Sequence, residues 1–417
     1  VTDSYEPYRR GDTMKCKNVA VFGAGTMGSG IAQVVAKAGI GVILVDIAQE
    51  FVDKTRWQIE ARLSKDVDKG KMTAGDKDRA MRKILGTTDP KDAAGADLII
   101  EAVVEELPVK ASLFAALNTI CSSSTIFATN TSTLSVTQLG QLSGRPDRFM
   151  GLHFFNPVHI MRLIEVVPGL GTSQESVEFG ISFVKTLGKV PIVAKDCPGF
   201  LVNRILLSYV TEAFMAAQEG IPPLEVDEKV RKAGFPMGPL ELSDMVGIDI
   251  SMHTFPIMHD AYGERFPIPL LVEKLVKAGR LGIKAGKGIY NNGKIDDEFL
   301  GIVGEVQRQT GIFSTSFSAE RLISRQVNEA VYCLQEGVAS AEDIDRAMVL
   351  GTGFPVDKEG VGGPLHWADE RGLDEVLQLL EDLKNHVGAR FWPHYLLKNC
   401  VHAGYLGKKT NRGVFAY

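Results

Sequence analysis

Residues 18–46 read NVAVFGAGTMGSGIAQVVAKAGIGVILVD, and the fold turns on them. An apolar run of strand character leads into a glycine-rich turn, a helix with an apolar face, a second apolar run and then an acid. That is the order of a βαβ unit that holds a dinucleotide. Gly23 permits the tight turn, Gly25 lets the backbone approach a pyrophosphate, and Gly28 lets the helix pack close to the strand. Thr26 and Met27 open the helix, whose first N–H groups make an anion site. Asp46 ends the second strand, where it can accept from a ribose 2′-hydroxyl and would repel a 2′-phosphate, favouring NAD over NADP. A lone GxGxxG string recurs by chance as a structural turn. Here the strand, the helix and the distal acid agree.

The alternation continues downstream, with a helical stretch at 48–69, a strand at 97–104, a helix at 106–120 and a strand at 125–129. These are parallel α/β units. Glu105 and the segment Asn130, Thr131 and Ser132 therefore fall at strand carboxyl ends, where such sheets bind ligands. Asn130 to Thr133 also has the composition of a polar turn that caps the next helix. The two roles are compatible.

Residues 151–167, GLHFFNPVHIMRLIEVV, place one histidine and one carboxylate inside two apolar, strand-like runs that flank a turn-prone Asn156–Pro157. Antiparallel pairing symmetric about His159 sets His153 opposite Glu165. Directly opposed Cβ atoms lie roughly 4.5–5.5 Å apart, so a carboxylate can hold one imidazole nitrogen and raise the basicity of the ring. Such a pair is either a general base with its orienting acid or a satisfied core histidine beside a strand-edge glutamate. His159, mid-turn, reads as a solvated loop residue.

At 417 residues, with 45% hydrophobic and 23% charged content, the chain has the composition of a soluble protein of two or three domains. A net charge of −5 gives no electrostatic case for nucleic acid or an anionic membrane. The five cysteines are scattered without a CxxC pair, and the histidines form no ligand-spaced cluster. The expectation is no metal and a reducing, intracellular compartment, cytoplasmic with an organelle left open. No apolar run reaches the roughly 18–20 residues of a membrane span. The opening VTDSYEPYRRGDTMK lacks the apolar core of a signal peptide, and Met14 leaves open whether the chain is processed, tagged or excised.

After Asp196 the strands give way to helical spacing, as at Leu201, Ile205 and Tyr209. GPLELSDMVGID from Gly238 returns as GPLHWADERGLD from Gly363, and RLGIKAGKGIY from Arg280 as YLGKKTNRGVF from Tyr405. GFP at 234–236 returns at 353–355 with a shorter offset, so the second copy carries an insertion around 357–361. This is a tandem helical domain, with the polar stretch 291–317 read as the connection. Aligning Arg204 with Arg321 sets Glu320 opposite Asn203, so the second copy lacks that amide and reads as architectural.

With GAGTMG, EAVVEELPVK, NTSTL, GLHFFNPV, LIEVV, KDCPGFLVNR and FPMGPLEL in this order, the chain closely resembles the L-3-hydroxyacyl-CoA dehydrogenases of fatty-acid β-oxidation, from about residue 17 to the C-terminus. The duplicated end resembles the dehydrogenase portion of multifunctional β-oxidation enzymes and some stand-alone bacterial members. The resemblance implies an α/β fold with a Rossmann-type NAD-binding domain (1–197) and two tandem all-α domains (198–300 and 301–417). It implies oxidation of a (S)-3-hydroxyacyl-CoA with NAD. His153 matches the general base, Glu165 its orienting carboxylate, and Ser132 and Asn203 polar groups around the substrate oxygen. Glu105, Lys110, Asn130, Asn156 and Lys284 match the cofactor side. Lys69 and Arg62 match positions near CoA, although Arg62 stands where some members have serine, and the basic end of that helix reads equally as solvated. Thr133 replaces a common serine and leaves Ser132 in place.

Two other functions stay open at this stage: a β-hydroxyacid or sugar-acid dehydrogenase on substrates without CoA, and a non-catalytic NAD-binding scaffold. Single-copy relatives resemble dimers joined through their helical domains. A second copy in the same chain takes the partner's place, which makes a monomer the expectation and leaves a homodimer open. One catalytic dyad per chain is expected, at the seam between the nucleotide domain and the first helical copy.

Overall fold

A computed structural model describes residues 16–417; the opening segment on which the leader expectation rests lies outside them. The chain forms two compact units, divided between Asp196 and Cys197.

The first unit is α/β. In chain order it runs β1 (Asn18–Phe22), α1 (Thr26–Lys37), β2 (Gly41–Val45), α2 (Gln49–Asp68), α3 (Ala74–Arg82), β3 (Ile84–Thr87), β4 (Leu98–Glu101), α4 (Leu107–Ile120) and β5 (Ile126–Thr129). It continues with α5 (Val136–Leu142), β6 (Phe149–Phe154), β7 (Leu163–Pro168), α6 (Gln174–Thr186) and β8 (Val190–Val193). The strands form one sheet of order β3-β2-β1-β4-β5-β6-β7-β8. All neighbours are parallel except β6 and β7. β4 and β5 are buried along their whole length, which is why they read as unbroken apolar runs rather than as alternation. Val19, Val21, Ile31, Val35, Leu98 and Ile100 share the core between sheet and helices, each contributing about 1.5–3 kcal/mol by leaving water. The order reverses between β1 and β4, and at such a switch point the strand ends open a crevice.

The second unit, Cys197–Tyr417, is helical. α7 (Val202–Gln218), α8 (Pro223–Lys232), α9 (Pro239–Val246), α10 (Ile248–Tyr262) and α11 (Leu270–Lys277) are followed by α12 (Asp297–Thr310). The second copy then repeats the first as α13 (Ala319–Gln335), α14 (Ala341–Thr352), α15 (Pro364–Arg371), α16 (Leu373–His386) and α17 (Tyr395–His402). The insertion at 357–361 is a short turn closed by Asp357 N–H to the Val361 carbonyl at 2.7 Å. The stretch 291–317, expected to connect the copies, carries a helix of its own. The Asp296 carboxylate caps α12 by accepting from Phe299 N–H at 2.9 Å, and Phe299, Val303 and Val306 form a buried stripe that packs on α11 and α7. Its polar outer face hid a helix that also runs across residues 300 and 301.

The copies meet through α7 and α13 with exchanged ion pairs. Arg204 on α7 donates to Glu329 on α13 (2.7 Å) and to Glu336 (2.6 Å). The repeat equivalents answer in kind, Arg321 donating to Glu212 (2.7 Å) and Glu219 (2.8 and 2.9 Å). Phe235 meets Phe354, its counterpart in the GFP motif, edge to face at 5.2 Å. Contacts in which i meets j and j meets i are the signature of a two-fold interface, here within one chain. Among the described residues no helix is long and apolar enough to cross a membrane, and no group of His, Cys, Asp or Glu is arranged to hold a metal.

Candidate active site

The crevice at the switch point is built by the turn after β1. Gly23 has φ +101°, and a Cβ there would lie 2.4 Å from the Ala102 carbonyl oxygen; one on Gly28 would lie 1.8 Å from the Gly23 carbonyl oxygen. Both glycines are demanded by the protein itself. Gly25 differs, because its φ of −74° suits any residue and a Cβ would meet nothing within 4 Å. What its missing side chain leaves room for is not protein. Gly25 also caps α1 without a side-chain hydrogen bond, so the first N–H groups of the helix face a cavity of about 810 Å³ lined by Gly23, Thr26, Asp46, Lys54 and Val103. Asp46 braces the turn, accepting from Ala24 N–H at 2.5 Å and Ile47 N–H at 2.7 Å, and keeps lone pairs for a ribose hydroxyl. An uncapped helix N-terminus, an acid at the second strand end and a glycine with no protein reason fit NAD. Gly25→Ala should therefore melt like the wild type yet bind NADH roughly tenfold more weakly, about 1.4 kcal/mol. Unchanged affinity by fluorescence titration would refute that.

On β6 and β7, His153 and Glu165 are directly opposed, as the symmetry about His159 requires. His153 Nδ1 lies 2.5 Å from Glu165 Oε2; the histidine is 5% exposed and the glutamate 0%. The imidazole also packs at 4.5 Å from the Phe155 ring. A fully buried carboxylate on one nitrogen fixes the ring's orientation.

The loop after β5 carries Ser132. Glu105 organises it: Oε1 accepts from the hydroxyl of Thr131 and from the N–H groups of Ser132 (3.0 Å) and Thr133 (3.3 Å). Burial alone would raise the Glu105 pKa, but the Lys110 ammonium and the loop donors outweigh it and hold the carboxyl below the usual range. Asn130 Oδ1 accepts from Phe154 N–H at 2.9 Å, tying this loop to the strand that carries His153.

The remaining sequence candidates fall in varied places. Lys110, matched to the cofactor side, is 1% exposed, with its ammonium 2.5 Å from Glu101 Oε1 and 3.0 Å from Glu105 Oε2, beneath the loop. Arg62 donates to Gln33 (2.6 Å) and Ser29 (2.5 Å), clamping α2 to α1. Lys69 is exposed at the end of α2, and Asn156 is exposed at a cis Asn156–Pro157 peptide. His159 is exposed, as a loop residue would be. In the second unit Asn203 lies in the first turn of α7, and Lys284 is exposed and pairs with Asp249 at 2.6 Å. Glu320, opposite Asn203 in the repeat, pairs with Arg371. Glu101 was missed, although an acid closing the apolar run LII has the same oddity that singled out Glu165.

The model of the 3-hydroxyacyl-CoA dehydrogenase NAD-binding domain matches residues 18–197, and that of the C-terminal domain matches 199–292 and again 317–417. The fatty acid oxidation complex subunit alpha of Shewanella amazonensis is 38% identical over 399 residues, 94% of this chain and 56% of that protein. That of Shewanella baltica is 37% identical over 393 residues, 92% and 55% of the two chains. The chain thus spans about half the length of these curated relatives. A solved 3-hydroxybutyryl-CoA dehydrogenase from Escherichia coli superposes with a TM-score of 0.84 at 33% identity, covering 94% of this chain and all of that one. The (S)-3-hydroxybutyryl-CoA dehydrogenase of Ralstonia eutropha gives 0.65 at 38% identity, over 66% of this chain and 99% of the other. With both domain models matched along the chain, it belongs to the 3-hydroxyacyl-CoA dehydrogenase family.

Proposed function

We propose that the protein oxidises a (S)-3-hydroxyacyl-CoA to the 3-ketoacyl-CoA. The observation that carries this is the buried His153–Glu165 pair on the same sheet whose switch point forms the dinucleotide cradle. NAD, when bound, supplies the hydride acceptor. The chain's own residues then handle a proton and an oxygen. With Nδ1 held by Glu165, His153 takes the C3 hydroxyl proton through Nε2, and the resulting imidazolium sits against a carboxylate already in place. Ser132 and Asn203 hold the substrate oxygen as it becomes a carbonyl. Lys69, exposed at the end of α2, reaches towards the CoA phosphates. Arg62, with its donors given to Gln33 and Ser29, shapes that edge. The cofactor-side roles of Glu105, Asn130, Asn156 and Lys284 belong to the same proposal.

The test is NADH formation from (S)-3-hydroxybutyryl-CoA and longer homologues, with the same acids lacking the pantetheine arm as comparison. Turnover independent of that arm would indicate a dehydrogenase of free hydroxyacids. NADH binding with no turnover on any acyl-CoA would indicate a scaffold. An intracellular site of action is part of this proposal, and the five free cysteines fit a reducing compartment. So is a monomeric state, because the exchanged Arg–Glu pairs of α7 and α13 satisfy a two-fold surface internally. Light scattering should give one chain per particle across a concentration series.

A further inference from the structure

Beneath the Ser132 loop lies a closed ring of polar contacts with Glu101 at its root. Glu101 ends β4, is 0% exposed and has no part of its own in the proposed reaction. One arm leaves through Oε2, which accepts from the Thr129 hydroxyl at 2.7 Å; the Thr129 oxygen in turn accepts from Thr131 N–H at 3.2 Å. The other leaves through Oε1, which receives the Lys110 ammonium at 2.5 Å. That ammonium also holds Glu105 at 3.0 Å, and Glu105 binds the Thr131 hydroxyl and Ser132 N–H. A third tie is backbone, Asn130 N–H to the Glu101 carbonyl at 2.8 Å. Val103 N–H at 2.8 Å completes the Glu101 carboxylate.

A buried carboxylate and a buried ammonium joined to a partly exposed second carboxylate make a costly cluster, and burial raises the Glu101 pKa against the pull of Lys110, Thr129 and Val103. A strand end needs no such charge to stay folded, since well-packed apolar groups of the same volume do as well or better. What the cluster adds is position. Both arms converge on Thr131, and the Lys110–Glu105 arm goes on to the N–H groups of Ser132 and Thr133.

We infer that Glu101 is a positioning residue, which acts through Thr129 and through Lys110–Glu105 to hold Ser132 where it meets the substrate oxygen. Lys110 is then a strut of the loop rather than a contact to the cofactor. The inference rests on the dehydrogenase reading above, in which Ser132 touches substrate.

The experiment is a double-mutant cycle between Glu101→Gln and Ser132→Ala in the full chain, with kcat, KM and the NADH dissociation constant measured for each variant. Glu101→Gln should lower kcat roughly 10- to 100-fold, the cost of misplacing a reacting group by about 1 Å, and change NADH affinity less than about twofold. In the Ser132→Ala background it should lower kcat less than about twofold, because the group it positions is gone. A stabilising role alone would leave kcat of the folded variant intact, and a cofactor role would weaken NADH binding; either result overturns the inference. So does an effect of equal size in both backgrounds. Should Glu101→Gln fail to fold, Thr129→Val cuts a single arm and takes its place in the cycle. Lack of wild-type turnover on acyl-CoA substrates would remove the dehydrogenase reading and this inference with it, whereas wild-type turnover with an undiminished Glu101→Gln removes this inference alone.

Discussion

His153→Ala lowers kcat for NADH formation by roughly 10²- to 10⁴-fold, the range in which a positioned general base contributes, while NADH still binds. The two readouts separate because the cradle at Gly23, Gly25 and Asp46 is built by β1, α1 and β2, whereas His153 is on β6. The substitution also removes the His153 Nδ1 contact of Glu165, which is 0% exposed, at a stability cost of about 1–3 kcal/mol. His153→Gln restores a donor for that carboxylate and should recover stability without recovering rate. Glu165→Gln keeps the side-chain shape but withdraws the charge that faces the imidazolium, so its loss should be smaller than that of His153→Ala. Wild-type-like turnover in His153→Ala would remove the proposed base.

Glu212→Gln destabilises the helical unit by about 3 kcal/mol, the low end of the cost of breaking a buried ion pair, because Glu219 stays with both arginines. Glu212 is 0% exposed and accepts from Arg321 Nε at 2.7 Å and from Arg390 Nε at 2.6 Å, so two guanidiniums each lose one of their two carboxylate partners and keep only Glu219. Burial by itself would raise the Glu212 pKa, but Arg390 and Arg321 overcome it and the folded value lies below the ordinary 4.5. A carboxylate depressed on folding contributes stability that is present above its unfolded pKa and lost as pH falls through the folded one. Wild type and Glu212→Gln should therefore differ most near neutrality and converge in acid. Urea titration in a Trp57→Phe background reads this unit alone, since the other tryptophans, Trp367 and Trp392, lie within it. For contrast, breaking the exposed Lys274–Glu305 pair should cost no more than about 1 kcal/mol. An unmoved midpoint, or a difference that does not shrink in acid, would show that the exchanged pairs do not hold the copies together.

Most of what could be read from the chain was local. The dinucleotide turn is legible because its glycines are imposed within a few residues, by φ at Gly23 and by close approach at Gly28. The opposition of His153 and Glu165 is legible because two short apolar runs flanking the connection 155–162 pair symmetrically about His159. α12 was not, because a capped amphipathic helix with a polar outer face resembles a linker until its stripe of Phe299, Val303 and Val306 has a surface to cover. Lys110 likewise matched the cofactor side, and its two carboxylate partners, at the end of β4 and in the loop before α4, are near in sequence, but spacing alone does not show that both turn onto its ammonium.

From its sequence alone the chain had an α/β nucleotide end, a preference for NAD, a duplicated helical end and a single His–Glu pair, because turn geometry, strand period and internal repetition act over neighbouring residues. Tertiary structure alone decided that Glu101, Lys110 and Glu105 meet under the Ser132 loop, and that Arg204 and Arg321 exchange partners between copies. Those contacts join residues from 5 to 132 positions apart, and a charge is buried where its counter-charge arrives, which the spacing of neither partner records.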